Sequence, residues 1–345
     1  MEVFLFNRDY YNLHYNCSFY QINTIPLELR KHELFGTCFL FAYTMFLFLY
    51  VFCLFAMIDM PYINRASNRL MILLACIHIV GLQLGGFLTG AFGIEGAVFC
   101  SHPNLIYVAG SFGVANWAGS TSITMILGFN RCCELQGGSL AKYLFGSWRL
   151  YIWMALPITY SLYILWFTPP NLFSGIHMSW FFNPHYGYYP THALYQNNVL
   201  IAHNIVVCCT EFTLYGVLVV LYFRASRYFS PTKKNALRKE KRIYVQVILV
   251  GAIHFTASSI YMFIQFFPVN FYTVLIESTF YLLSQGFPPV IYLYVNPSLR
   301  QYLRSRMKIS NCWRCILLSV NKVNSQVGTT TTDPTPTPVL PQSIA

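Results

Sequence analysis

Seven nearly unbroken apolar runs dominate the chain: Leu34–Met57, Leu70–Phe92, Leu105–Phe129, Leu150–Pro170, Val199–Phe223, Ile243–Phe267 and Phe271–Val295. About 20 apolar residues carry a helix across a bilayer core, so each run predicts a transmembrane span. No polar linker divides them. The expected organisation is an outer tail over 1–33, one seven-helix bundle with an interfacial eighth helix over 34–308, and a cytoplasmic tail over 309–345. The fold class is all-α, membrane-embedded. Residues 1–33 carry no apolar core of signal-peptide length, so the first helix is expected to act as an uncleaved signal anchor.

Charge orients the bundle. Nineteen of the 22 Lys and Arg fall in four of the eight segments between and around the runs, and those four alternate with the others. Arg65 and Arg69 follow the first run, and Arg131, Lys142 and Arg149 follow the third. Eight more lie between Phe223 and Ile243, and six follow Val295. Lys and Arg are retained on the cytoplasmic side. The N-terminus is therefore expected outside and the C-terminus inside, which requires an odd number of spans.

Composition excludes a soluble domain. Hydrophobic residues make up 56% and charged residues 10% of the chain, against about 25% charged in soluble proteins. The net charge of +11 invites nucleic acid as a partner. The basic residues flank membrane helices, however, where anionic lipid is the expected contact.

Of the 11 Cys, only Cys17 and Cys100 lie in outward segments. The outside is oxidising, so this is the one disulfide the topology offers. Asn16-Cys17-Ser18 is an acceptor triplet for N-glycosylation in the outward tail. Cys312-Trp-Arg-Cys315 lies past the bundle. It is half of a zinc motif without partners, so no metal site is expected. Acylation of Cys312 and Cys315 or idle thiols remain open. Residues 171–198 have no Asp, Glu, Lys or Arg but are rich in aromatics, Trp180 among them. They suit either an aromatic interface belt or contact with small apolar matter outside. The Thr- and Pro-rich stretch after Asn321 has too little apolar content to form a core.

Polar groups inside apolar runs are costly. Glu211, Glu277, His78, His203, His254, Asn116 and Gln265 each serve either as interhelical hydrogen-bond partners or as lining of a pocket. Asn116, Gln265 and Glu277, with Trp180, are the candidate ligand contacts, since they lie in the middle or outer half of their helices or in the outer loop.

The sequence Gly286-Phe-Pro-Pro-Val-Ile-Tyr-Leu-Tyr-Val-Asn-Pro-Ser-Leu-Arg-Gln-Tyr-Leu303 resembles the end of helix seven in rhodopsin-type G-protein-coupled receptors. Pro289 and Tyr292 match the family's Asn-Pro-x-x-Tyr, and Pro288 stands where the family has Asn. The two prolines remove backbone donors and predict a hinge. Beyond it, Leu299, Tyr302, Leu303 and Met307 alternate with Arg300, Arg304, Arg306 and Lys308, the pattern of an interfacial amphipathic helix. Leu127-Gly-Phe-Asn-Arg-Cys-Cys-Glu134 resembles the same family's acidic-Arg-Tyr triplet, with Asn130 in place of the acid and Cys132 in place of Tyr. The loss of that acid predicts that Arg131 has no neighbouring charge to pair with at rest. His78 stands where the family has a sodium-binding Asp, so no sodium site of that kind is expected.

A narrower resemblance covers more of the chain. Tyr15-Asn-Cys-Ser18, Gly96-Ala-Val-Phe-Cys-Ser-His-Pro-Asn-Leu-Ile-Tyr107, Leu127–Leu135, Phe167-Thr-Pro-Pro-Asn-Leu-Phe-Ser174 and Ser179-Trp-Phe-Phe-Asn-Pro184 are similar to the nematode serpentine chemoreceptors of class T. This resemblance implies a chemosensory receptor for a small, odorant-like ligand, coupled to a heterotrimeric G protein. It also implies the plasma membrane of a sensory neuron, at its cilium. Asn130, Arg131, Tyr292 and Arg300 would then meet the G protein, with Pro288 and Pro289 as the hinge.

No cofactor is implied, and no enzyme activity. The seventh run has no Lys for a retinal Schiff base. H-E-x-x-H and G-x-S-x-G do not occur. A transporter of small solutes is the alternative, although no internal repeat supports it.

The charge split makes one direct prediction. A tag after Met1 is reachable from outside intact cells and a tag before Ala345 only after permeabilisation. Equal protection of both would require an even span count.

Overall fold

The computed structural model describes residues 1–18, 21–59, 65–136, 138–189, 195–228, 231–267 and 270–306, without the side chains of 232–240, 298 and 304–306. Met1–Leu299 form one compact unit, and the described residues from Arg300 onward belong to a separate one. The spans of the first unit are α1 (Glu33–Asp59), α2 (Ala66–Glu95), α3 (Pro103–Leu135), α4 (Arg149–Phe167), α5 (Asn198–Tyr228), α6 (Pro231–Phe266) and α7, which runs Phe271–Gly286 and then Pro288–Val295. α8 (Pro297–Arg306) follows. Leu299, at its first turn, is buried. Met307, Lys308, Cys312, Cys315 and the rest of the tail lie outside the described residues.

Lipid and protein neighbours sort the helices. Phe41, Phe55, Phe212 and Phe223 stand exposed on α1 and α5. Rings displayed in this way would be a liability in water but match the hydrocarbon of a bilayer. By length and composition five helices among the described residues are apolar enough to cross a membrane: α1, α2, α4, α5 and α6. The other two spans differ for physical reasons. α3 has 22 of its 33 residues buried, including Gly110, Ser111, Gly119, Ser120 and Thr121. It faces other helices more than lipid, and small residues let helix backbones approach closely there. α7 is cut by Pro288 and Pro289. Its first half ends where the Phe287 N–H reaches Leu283 O over 2.8 Å, and the Val290 N–H then bonds to Phe287 O at 2.9 Å. The prolines remove the two donors that would have continued the ladder.

Two local features differ from the sequence expectation. The basic stretch between the fifth and sixth apolar runs is not a loop throughout, since α6 already begins at Pro231. Ala, Leu, Lys, Arg and Glu are strong helix formers, which explains a helix in a stretch with no apolar run. α2 contains a wide π-helical turn at Gln83–Leu88, where Thr89 Oγ1 donates to Leu84 O five residues back at 3.1 Å. Such turns re-aim the following residues and cluster at functional sites.

The end of the bundle near Cys100 is covered. A short hairpin, β1 (Leu172–Ser174) paired antiparallel with β2 (Ser179–Phe181), lies between α4 and α5. It is pinned to the segment before α3 by a Val98–Ser174 bridge and by the Gly175 N–H to Ala97 O bond of 2.8 Å. Cys100 in that segment is joined to Cys17, with Cα atoms 5.5 Å apart. The tail before Cys17 forms short helices at Glu2–Phe6 and Arg8–His14. They place Phe4, Tyr11 and Tyr15 around Tyr107 of α3 at centroid distances of 5.1–5.3 Å. Of the aromatic residues in the uncharged stretch 171–198, Phe173 and Phe182 are buried and Tyr189 is exposed.

The disulfide closes a loop of sequence separation 83. Replacing both cysteines with Ser is expected to cost about 2–4 kcal/mol. Thermal unfolding of the purified protein checks this, and amide exchange should rise first in residues 2–18. Unchanged exchange there would mean that the aromatic packing on Tyr107 holds the tail alone.

Candidate ligand cavity and the opposite end of the bundle

A cavity of about 70 Å³ lies beneath the hairpin. Six elements converge on it, with α5 contributing Leu200. The π turn of α2 brings Leu84 and Gly85, and α3 brings Gly110, Val114 and Trp117. The hairpin segment supplies Asn171, Ser179 and Trp180, α6 supplies Tyr261, and α7 supplies Glu277, Ser278 and Tyr281. Gly110 is required here, since a Cβ at that position would sit 1.5 Å from Asn171 O. Trp180 is held by its Nε1–H, which donates to Thr89 Oγ1 at 2.9 Å. The same ring meets Phe173 at 5.4 Å and Phe92 at 6.3 Å. Ser278 Oγ donates to Ser179 Oγ at 2.7 Å, and Glu277 Oε2 lies 3.3 Å from Ser179 Oγ. Hairpin and α7 therefore meet through hydroxyl groups beside one carboxylate.

Of the four candidate ligand contacts, Trp180 and Glu277 line this cavity and Asn116 and Gln265 do not. Asn116 Nδ2 donates to Gln285 Oε1 at 3.1 Å, a buried link from α3 to α7. Its amide is engaged by a neighbouring helix, as most polar groups in helix bundles are. Gln265 lies one turn beyond Tyr261 on α6, and it is the Tyr261 position that faces the cavity.

Trp117, one residue after Asn116, was not singled out from sequence. Its Nε1–H donates to Asn204 Oδ1 of α5 at 2.8 Å. Its ring is parallel to His254 of α6 at 6.0 Å, and His254 stacks on His78 of α2 at 5.3 Å. His78 Nδ1 lies 2.6 Å from the Tyr50 hydroxyl of α1. One turn further along α1, Cys53 Sγ lies 4.0 Å from the carbonyl of Pro289. A continuous line of buried groups thus runs from the cavity floor to the break in α7. The signal available in sequence was an aromatic next to a polar residue in a run of small ones.

At the opposite end, Arg131 is buried and has a partner, contrary to the expectation from Asn130. Arg131 Nη1 donates to Glu134 Oε2 at 2.6 Å, one helical turn on. Ser67 Oγ of α2 lies 2.7 Å from Asn130 Oδ1 and 2.9 Å from Glu134 Oε1. The i, i+3 spacing puts both charges on one face, so Glu134 supplies what Asn130 lacks. Tyr292 is buried just past the break. Arg300 stands on α8 in the second unit, described only to that extent. In the outward tail Asn16 Oδ1 accepts from Ser18 N and Ser18 Oγ, both at 2.8 Å. Among the described residues no group of three or more His, Cys, Asp or Glu is placed to hold a metal ion.

The family model described as "Serpentine type 7TM GPCR chemoreceptor Srt" matches residues 1–314. The chain belongs to that family. It is 25% identical over 235 residues to serpentine receptor class T-55 of Caenorhabditis elegans, a match covering 68% of this chain and 63% of that relative's length. The crystal structure of squid rhodopsin matches with a TM-score of 0.64 at 14% identity, covering 90% of this chain and 93% of that one. At that identity the likeness concerns the fold, the seven-transmembrane bundle. This Srt chain is therefore a multi-pass membrane protein of a chemoreceptor family. Cys100 bonds the N-terminal tail, and the hairpin is held by backbone hydrogen bonds to the segment before α3 and by side-chain bonds to Thr89 and Ser278.

The hairpin's own segment contains a pH-sensitive group. Burial pushes His185 from its ordinary 6.5 down to about 4, and its ring packs against Phe99, Tyr188 and Tyr189. Above pH 6.5 both the folded and unfolded forms are neutral, and the segment keeps its full stability. As pH falls from 6.5 towards 4, only the unfolded form takes up the proton, so stability is progressively lost. Burial lowers His177 in the same direction, with His32 adding to it. Amide exchange in residues 172–189 is expected to rise across that window, and His185→Phe should remove much of the rise.

Proposed function

We propose that this chain is a receptor that detects a small external ligand in the cavity under the hairpin and activates a heterotrimeric G protein at the Arg131 end. The observation that carries the reading is the buried line Trp117–His254–His78–Tyr50. It begins at the cavity and ends one helical turn from the residue that touches Pro289. A ligand that favours one arrangement of Trp117 shifts the equilibrium of the bundle by its difference in affinity for the two states. The break at Pro288 and Pro289 is the place where α7 changes most easily, because its ladder lacks two donors. In this reading the hairpin and the tail through residue 33 lie outside the cell, and Asn16 is available for glycosylation. Arg131, Asn130, Tyr292, Arg300 and the basic segment lie inside, with lipid headgroups beside them. In the same reading the receptor works in the plasma membrane of a sensory neuron, at its cilium, as the resemblance to class T receptors implies. Residues 309–345 form the cytoplasmic tail, with Cys312 and Cys315 as its acylation candidates.

In this mechanism the Arg131–Glu134 pair holds the resting state. Both groups are shielded, the Arg side chain being 9% and the Glu side chain 31% exposed. Removing one partner would therefore leave the other as a shielded charge without its counter-ion, which is costly. Releasing Arg131 frees a guanidinium that stays charged at any physiological pH to meet backbone carbonyls of a partner.

Glu134→Gln is expected to raise ligand-independent nucleotide exchange on a co-expressed G protein several-fold, and Arg131→Ala to abolish it at matched surface expression. The double variant should resemble Arg131→Ala. A transporter would show neither effect. Wild-type exchange in Arg131→Ala would reduce that Arg to an anchor of topology.

A further inference from the structure

The cavity's chemistry points to a class of ligand, and this step rests on the receptor reading above. Among the sixteen residues lining the cavity there is one carboxylate, Glu277, and no Lys, Arg or His. Glu277 Oε2 has only two long contacts, 3.3 Å to Ser179 Oγ and 3.5 Å to Ser278 Oγ. Oε1 has no hydrogen bond among the described residues. A carboxylate set among helices without a counter-charge is costly, and a cation brought into the cavity removes that cost.

The walls suit the rest of such a ligand. Trp117, Trp180, Tyr261 and Tyr281 surround the space, and aromatic faces attract cations most strongly when water is excluded. The buried Tyr261 hydroxyl has no partner among the described residues. Gly85, Gly110 and Gly113 keep the remaining wall apolar and close to the backbone. Size sets a further limit. The cavity measures about 70 Å³, roughly half of the ~150 Å³ apolar cavity that holds one benzene. Without movement of its walls it admits a molecule of only a few heavy atoms.

We propose that the ligand is a small protonated alkylamine, its N⁺–H donating to Glu277 and its alkyl groups lying among Trp117, Trp180, Tyr261 and Tyr281. A simple alkylamine titrates near the lysine value of about 10.4, so it is cationic at neutral pH. A charge-assisted bond to carboxylate is shorter and roughly twice as strong as a neutral one. This selects an amine over an alcohol of the same shape.

Isopropylamine and isopropanol are isosteric probes of this choice. The purified full-length chain in lipid nanodiscs is titrated with each at neutral pH, and its thermal unfolding midpoint is read. Isopropylamine is expected to raise the midpoint in a saturable way at concentrations where isopropanol does not. Glu277→Gln removes the uncompensated charge, so its midpoint without ligand should be no lower, yet it should weaken the amine by roughly a hundredfold, and Glu277→Asp should retain part of the effect. Should Glu277→Gln not fold, Trp180→Leu serves instead, with an expected loss of roughly fivefold from the missing cation–ring contact. Equal stabilisation by amine and alcohol, full amine affinity in Glu277→Gln or Trp180→Leu, or no shift with the amine at all overturns the proposal. The readout contains no G protein. Failure here leaves the coupling test of Arg131 and Glu134 standing, and failure of that test leaves amine binding standing.

Discussion

The indole of Trp117 donates to Asn204 on α5, lies parallel to His254 on α6 and meets Tyr281 of α7 at 5.8 Å. It also forms part of the cavity wall. One side chain of α3 therefore touches three other helices and the site. In lipid there is little hydrophobic force between helices, so such packing and hydrogen bonding must hold them. α3 performs this role along its length, through Asn116 to α7, Thr121 to His203 of α5 at 2.9 Å, and Asn130 to Ser67 of α2. The cavity exists because the hub of the bundle carries small residues on the side facing the hairpin and a large ring beneath it.

The cover over the cavity is built differently. Its hairpin is short and would not be stable alone. It is held by the segment 97–100, and that segment is fixed covalently to the tail through Cys17. Trp180 is in turn anchored on Thr89, whose position follows from the π turn of α2. The geometry of the site thus depends on an irregular turn within a helix and on a disulfide outside the bundle, and less on the regular parts of either.

Legibility in the sequence followed the range of the interaction. Arg131 is legible as the charged end of α3, but its partner is Glu134, one turn later, and not the preceding residue. Either neighbour can pair with an Arg at a helix end, and only the side-chain directions decide which does. Glu277 and Trp180 were readable because a lone carboxylate in an apolar run and an aromatic in an uncharged loop are both conspicuous. Asn116 was equally conspicuous, yet the rotation of about 100° per residue in a helix turns it to Gln285 and gives the cavity to Trp117. Tyr261 and Tyr281 carry no mark in a chain with 26 Tyr.

Legible in the sequence by itself were the seven apolar runs, their alternation with basic segments, the candidate pair Cys17 and Cys100, and the missing backbone donors at Pro288 and Pro289. These follow from the length of a run, the distribution of charge, the small number of cysteines outside the runs and two prolines, none of which depends on how the helices are rotated. The tertiary structure decided which polar groups face one another, which ring closes the floor of the cavity and which charge holds Arg131. Those depend on helix rotation and on the π turn of α2, which shift side chains by fractions of a turn. A pattern of apolar residues on nearly all sides of a membrane helix leaves that rotation undetermined, since lipid accepts any apolar face and only packing against neighbouring helices chooses among them.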